Sequence, residues 1–131
     1  MEKFLAGYSE RVYAVMRIMV GAQFLCYGLQ KSFGLFGGVD GAAAPLFSLY
    51  GIAGWIELVT GALIAIGLAT GTAAFVASGH MAAAYFIGHA GRSFWPIENG
   101  GVPAVLFCFI FLVMATRGSG LWSVDALLRR A

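Results

Sequence analysis

Long apolar runs broken by short polar clusters dominate this chain. The first run spans Val12 to Phe36, the second Ile52 to Ala69, the third Thr72 to Ala90 and the fourth Val102 to Thr116. A membrane-crossing helix needs about 20 mostly apolar residues to span a hydrocarbon core of roughly 30 Å. The pattern therefore predicts an all-α fold, an integral membrane four-helix transmembrane bundle, built as one domain over residues 1–131. Between the first two runs, Gly37-Gly38-Val39-Asp40-Gly41 leads into a stretch holding Leu46, Phe47, Leu49 and Tyr50. That stretch is too apolar for a solvated linker, so a short re-entrant or interfacial helix is expected in this first outer loop. Only a residue or two around Thr70-Gly71 separates the second and third runs, which predicts a tight antiparallel hairpin. Pro103 falls in the first turn of the fourth run, where a missing N–H does no harm. Ser123 suits the N-cap of a short terminal helix, and Leu127 and Leu128 beside Arg129 and Arg130 suit a membrane surface.

Composition sharpens the choice of solvent. Of the 131 residues, 60% are hydrophobic and 11% charged, against about 25% charged in ordinary soluble domains. A soluble monomer of this size buries only about two thirds of the surface its unfolded chain exposes. The mean hydropathy of +0.85 agrees. Low charge and 15% aromatic content exclude a disordered chain. A dispersed net charge of +2 excludes a nucleic-acid surface. Cys26 and Cys108 form neither a Cys-x-x-Cys pair nor a zinc pattern, and read as small apolar core residues. Lys3, Glu10, Arg11 and Arg17 interrupt any early apolar region, so a cleavable signal is not expected. Lys3, Arg11, Arg117, Arg129 and Arg130 fall on the side of both termini, and Lys31 and Arg92 on the other. That bias predicts cytoplasmic termini and outward-facing loops.

The few ionisable residues in or beside the runs are Arg17, Lys31, Glu57, His80, His89 and Arg92. A charge near a bilayer centre costs about 2.5–3.5 kcal/mol, so such residues turn inward and pair. Arg17, Gly21, Phe24, Gly28 and Lys31 form one helical stripe. Counting depth along the runs puts Lys31, Glu57, Tyr85, His89 and Arg92 in the outer half, beside the loop residues Trp95, Glu98 and Asn99. Arg17 stands alone in the inner half. This predicts one outward polar cluster with Glu57 as its buried anion. Glu57, His89 and Tyr85 are the candidate catalytic groups; Lys31, Arg92, Glu98, Asn99 and Arg17 are the candidate binding groups. Plainer roles compete. A Glu57 ion pair can simply pin helices together, Lys31 and Arg92 can snorkel to the interface, and Tyr85 and Trp95 can be interfacial anchors. His80 reads as a core hydrogen-bonding residue. It lies nine residues before His89, half a turn round on a continuous helix, which disfavours a bridged haem. No haem or metal is expected. Gly54 and Gly61 offer small surfaces for close helix packing.

These elements, in this order, are Arg17-x-x-x-Gly21-x-x-Phe24-x-x-x-Gly28-x-x-Lys31, Gly54-x-x-Glu57-x-x-x-Gly61, Gly67-Leu68-Ala69-Thr70, Met81-x-x-x-Tyr85-x-x-x-His89, Pro96-x-x-Asn99-Gly100-Gly101 and Gly118-Ser119-Gly120-Leu121-Trp122-Ser123-Val124-Asp125. Together they resemble the DoxX family of small four-span bacterial membrane proteins, from about Arg11 to Asp125. Many relatives carry Asn-Gly-Gly-Glu before the last span, whereas this chain has Asn99-Gly100-Gly101-Val102, with Glu98 as the neighbouring acid. The resemblance implies a bacterial cytoplasmic (inner) membrane location. It also implies kinship with membrane subunits of thiosulfate:quinone oxidoreductase and with redox-stress complexes that contain superoxide dismutase and a thiol sulfurtransferase.

The expected function is therefore a quinone-linked redox subunit, an oxidoreductase component with quinone as its cofactor. Phe24, Phe86 and Trp55 would line the apolar slot, and Lys31 and Arg92 would attract an outward-side anion such as thiosulfate. Membrane lipid, a redox-enzyme partner subunit and further copies of the chain are the expected partners, and nucleic acid is not. Two alternatives stand: a non-catalytic membrane scaffold or anchor for a redox enzyme, and a small transporter or lipid-binding protein.

Overall fold

The computed structural model describes residues 1–131, and every regular element is helical. A short α1 (Glu2–Ala6) precedes α2 (Ser9–Phe33). Then come α3 (Leu49–Ile66), α4 (Thr70–Gly88), a single turn α5 (Pro96–Asn99), α6 (Val102–Arg117) and a terminal α7 (Val124–Leu128). By length and composition, α2 and α3 can each cross a membrane, and α6 is a shorter apolar helix. Only 27 of the 131 residues are buried, so the surface decides the solvent. Val15, Met19, Val59, Phe75, Phe109 and Val113 all leave half or more of their surface uncovered. In water so much contiguous apolar surface drives association. Hydrocarbon removes that cost.

Two pairs of helices make the body. α2 lies along α3, α4 lies along α6, and the contact of α3 with α4 joins the pairs. The first pair is close because glycines face the partner backbone. A Cβ on Gly28 would stand 2.3 Å from the Leu58 nitrogen, and one on Gly61 would stand 2.5 Å from that of Leu25. Small residues of this kind let apolar helices gain dispersion contact where no hydrophobic drive acts between them. In the second pair, Ala73, Ala74 and Ala77 of α4 belong to the same buried cluster as the bulky Phe111 and Met114 of α6. Ser78 Oγ donates to the Cys108 carbonyl at 2.8 Å. Cys26 is exposed, Cys108 is half-buried, and both thiols are free.

Helix limits sit two to three residues earlier than the apolar runs suggest for α2, α3 and α4, and caps explain this. Gly34 takes a left-handed conformation (φ 71°) and its N–H closes on Gln30, which ends α2 before the apolar Leu35 and Phe36. Ser48 caps α3 by accepting from the Gly51 N–H at 3.0 Å, so Leu49 and Tyr50 are its first turn. The expected short helix in the first loop is not formed. A 3₁₀ turn at Leu35–Gly37 is the only helical piece there. The hairpin between α3 and α4 is as tight as expected, but it turns over Gly67, Leu68 and Ala69. The terminal helix forms with Ser123 as its cap, accepting from the Ala126 N–H at 3.2 Å.

The end of the molecule that carries both termini is locked around Gly67. This residue has φ 75°, and a Cβ there would lie 2.3 Å from that of Ser123. The tail docks on the hairpin through two bonds. Asp125 N–H donates to the Gly67 carbonyl at 3.0 Å, and Asp125 Oδ1 accepts from the Ala69 N–H at 3.0 Å.

Candidate functional site

At the opposite end the two helix pairs part, leaving a cavity of about 600 Å³. Each long helix supplies part of its wall. Phe24, Tyr27 and Lys31 come from α2, Ile52, Ile56 and Glu57 from α3, His80, Met81 and Ile87 from α4, and Pro103, Ala104 and Phe107 from α6. His89 and Arg92, just past the end of α4, complete it. Glu57 is its one carboxylate and is only 2% exposed. Both of its oxygens accept from Lys31 Nζ at 2.6 Å. Oε1 also stands 3.1 Å from His80 Nε2. An ionised carboxylate only accepts, so this contact puts the His80 proton on Nε2. One side chain thus ties α2, α3 and α4 together. The Tyr27 ring lies 5.6 Å from Lys31 Nζ, and Phe24 meets the His80 ring edge-on at 6.2 Å.

The stripe on α2 and the pairing of Lys31 with Glu57 match the expectation from spacing. His80 does not. Spacing set it apart from the cluster, yet both His80 and His89 line the cavity. The half-turn between them assumes a continuous helix, and α4 stops at Gly88. His89 takes φ −122°, outside helical geometry. Its side chain therefore escapes the wheel. Phe86 and Trp55 are exposed and off the wall, whereas Phe24 lines the cavity together with Tyr27, Tyr50 and Phe107.

Tyr85 and Asn99 are brought together, but as a latch beneath the loop rather than as cavity wall. Asn99 is 2% exposed. Its Nδ2 donates to Tyr85 Oη at 3.1 Å and to the Ser93 carbonyl at 2.7 Å, while its Oδ1 accepts from the Gly101 N–H at 2.8 Å. Tyr85 Oη donates in turn to the Phe94 carbonyl. The Asn99 carbonyl stands 3.1 Å from His89 Nδ1 and 3.4 Å from Arg92 Nη2. A carbonyl only accepts, so the His89 proton here is on Nδ1, which leaves Nε2 as the acceptor nitrogen. Glu98 is exposed and accepts from Ser93 Oγ at 2.5 Å, away from the cavity.

Arg17 lies at the other end of the stripe, about 21 Å from Lys31 at 1.5 Å per residue. It is fully buried and meets no carboxylate. Its Nη1 donates to the Ile64 and Ala65 carbonyls at 2.8 Å each. Its Nη2 donates to those of Leu121 at 3.2 Å and Trp122 at 2.8 Å. The first two belong to the last turn of α3, where the helix dipole favours a cation. Arg17 therefore closes α3 and pins the tail.

The signature of the DoxX family matches residues 12–90. The chain belongs to the DoxX family. A chain from Haemophilus influenzae, described as an uncharacterized protein, is similar to it. The two are 35% identical over 128 residues, which covers 92% of this chain and 93% of that one. No solved structure matches. Family and apolar helices together mark this DoxX chain as a membrane protein. Within the matched residues lie Arg17, Lys31, Glu57, His80, Tyr85 and His89, while Arg92, Glu98 and Asn99 follow them. Glu98 does not reach the cavity of this DoxX chain, so Glu57 alone supplies it with a carboxylate.

Proposed function

We propose that this DoxX chain is a multi-pass protein of the bacterial inner membrane whose outward-facing cavity binds a quinone as part of a redox complex. Four spans, α2, α3, α4 and α6, run about 38, 27, 28 and 24 Å at 1.5 Å per residue. Lys3, Arg11, Arg117, Arg129 and Arg130 support a cytoplasmic position for both termini.

The observation that carries this reading is a Lys31–Glu57–His80 cluster in an apolar-walled cavity. A quinone headgroup needs N–H donors for its carbonyls, a proton-exchanging group close by and an apolar slot. Lys31 has three N–H groups and spends two directions on Glu57, which leaves one for a ring carbonyl. His80 spends its Nε2 proton on Glu57 and so orients that carboxylate. Glu57 Oε2 accepts only from Lys31, so it is the oxygen that can take a proton when Lys31 turns to a ring carbonyl. His89, with Nε2 as its acceptor nitrogen, can pass protons near the end of α4. The cavity volume also fits, being within the range of about 300–1,000 Å³ of ordinary ligand sites. A bound quinone supplies an acceptor for two electrons and two protons. Exposed apolar side chains on the wall, Leu49, Ile52 and Ile87, suit a ligand that arrives through lipid. Glu57 neutralises Lys31, so Arg92 is the wall's cation without a carboxylate partner for an outward-side anion.

Titration of the protein in nanodiscs with decylubiquinone tests this. Saturable binding that falls about tenfold or more in Glu57→Gln and His80→Ala is expected, since one removes the buried carboxylate and the other a hydrogen-bond partner that orients it. Binding equal to the unmodified protein in both variants would sink the assignment. The anchor reading has one observation in its favour: both Glu57 oxygens are already occupied, as a purely structural pair requires. Absence of quinone binding together with a co-purifying redox enzyme would favour it.

A further inference from the structure

The end that carries both termini holds a second cavity, of about 390 Å³, that the reading above does not use. Residues 117–121 form one wall, and Glu10, Ala126, Arg129 and Arg130 form the rest. The backbone of that wall is turned in a specific way. The Gly118 carbonyl accepts from Tyr13 Oη at 2.6 Å, the Gly120 carbonyl from Ser123 Oγ at 2.8 Å, and the Leu121 carbonyl from Arg17 at 3.2 Å. In a trans peptide unit the C=O and the following N–H point in opposite directions, and all peptides here are trans. With these carbonyls drawn into the protein, the N–H groups of Ser119 and Leu121 turn outward. Neither has a partner within the chain. Gly118 and Gly120, at φ 78° and 66°, permit this turn.

Charge gathers beside these donors. Arg117, Arg129 and Arg130 line the cavity against a single acid, Glu10. Glu10 pairs with Arg117, which also lies 4.1 Å over the Tyr13 ring. Arg129 reaches Ser119 Oγ at 3.1 Å and the Asp125 carbonyl at 3.2 Å, while the Asp125 carboxylate is occupied by the Ala69 N–H. Arg130 makes no side-chain bond at all. Two guanidinium groups therefore lack a carboxylate partner beside two free backbone N–H groups. Such a set matches the oxygens of a phosphate. Apolar residues flank it: Trp122, Leu127 and Leu128 are each more than 60% exposed. They would cover acyl chains attached to that phosphate.

We propose that this cavity binds the phosphate of an anionic phospholipid headgroup. Native mass spectrometry of the purified full chain, titrated with phosphatidylglycerol, phosphatidylcholine or inorganic phosphate, tests it. Phosphatidylglycerol should bind best. The double variant Arg129→Gln/Arg130→Gln should weaken it about tenfold or more, and Arg130→Gln alone should weaken it without a folding defect, since that side chain holds nothing in place. The control Lys3→Gln/Arg11→Gln removes the same charge near the same end outside the cavity and should leave binding unchanged. Equal loss in the control, no loss in the arginine variants, or no preference over phosphatidylcholine overturns the site. Inorganic phosphate binding as tightly as phosphatidylglycerol overturns the lipid as its source.

Discussion

Gly28→Ala asks whether the proposed quinone site depends on the near-contact of α2 with α3. The added methyl carbon would sit 2.3 Å from the Leu58 nitrogen, 2.6 Å from its Cα and 2.9 Å from the Gly54 carbonyl oxygen. All three are backbone atoms, so no side chain can rotate out of the way. Ordinary carbon contacts lie at about 3.5–4.0 Å, so the helices must part by about 1 Å. Leu58 follows Glu57 directly, and Lys31 lies less than one turn beyond Gly28, so the same parting falls on the ion pair. Its bonds now stand at 2.6 Å, and a 1 Å shift carries them to about 3.6 Å, past hydrogen-bond range. Overpacking costs about 1–3 kcal/mol and breaking a buried pair about 3–5 kcal/mol when complete, while alanine's helix propensity returns at most about 1 kcal/mol.

A net loss of about 2–4 kcal/mol is therefore expected for Gly28→Ala, with weakened quinone binding alongside. Gly79→Ala is the control. A Cβ there meets nothing within 4 Å, so only propensity acts and stability should hold or rise. Thermal unfolding of both variants in one detergent, followed by circular dichroism, reads the difference. Coincident melting curves for the two variants would refute the reasoning.

Arg17→Met strands the Ala65, Leu121 and Trp122 carbonyls at about 1 kcal/mol each, the Ile64 carbonyl keeping the Gly67 N–H, so a loss of about 3 kcal/mol is expected. Arg17→Lys should recover less than half, because one ammonium cannot bridge both pairs; quinone binding at the far end should be unchanged, and an unshifted melt would count against the role. Gly67→Ala forces a left-handed alanine, costing about 1–2 kcal/mol, and drives its methyl into Ser123. It should release the tail to carboxypeptidase, and a protected tail would contradict the lock. Asn99→Ala removes the partner of Tyr85, Ser93 and Gly101, so amide exchange across residues 91–101 should rise while α2 is unaffected; equal protection would remove the latch.

The long helices were legible because an apolar run of span length has few other solutions. Their ends were not, because Gly34, Ser48 and Gly67 set them through cap geometry, which hydropathy does not see. The Lys31–Glu57 pair was legible because α2 is continuous between its two cations and a buried anion must find a cation. His80 was missed because the wheel was carried past Gly88, where α4 ends. Its signal was present all the same: Ala84 and Gly88, four and eight residues on, share its face and line the cavity. The role of Arg17 was out of reach for a different reason. Its acceptors are main-chain carbonyls, which every residue carries, so no side-chain pattern announces them.

Arg17 and Lys31 occupy one stripe of one helix and escape the cost of burial in opposite ways. Arg17 spends its donors on the last turn of α3 and on the tail, groups that carry no net charge and hold no exchangeable proton. That end is therefore fixed by geometry alone. Lys31 is neutralised by Glu57, whose carboxylate also contacts His80. The cavity opens where the second arrangement is, and the close α2–α3 packing at Gly28 and Gly61 connects the two ends. A bundle clamped at one end and polar at the other can exchange a ligand by parting its helices at the cavity alone. Arg17 and Gly67 thus hold the end with the termini, and the chemistry proposed at Glu57 rests on the local contacts of Lys31 and His80.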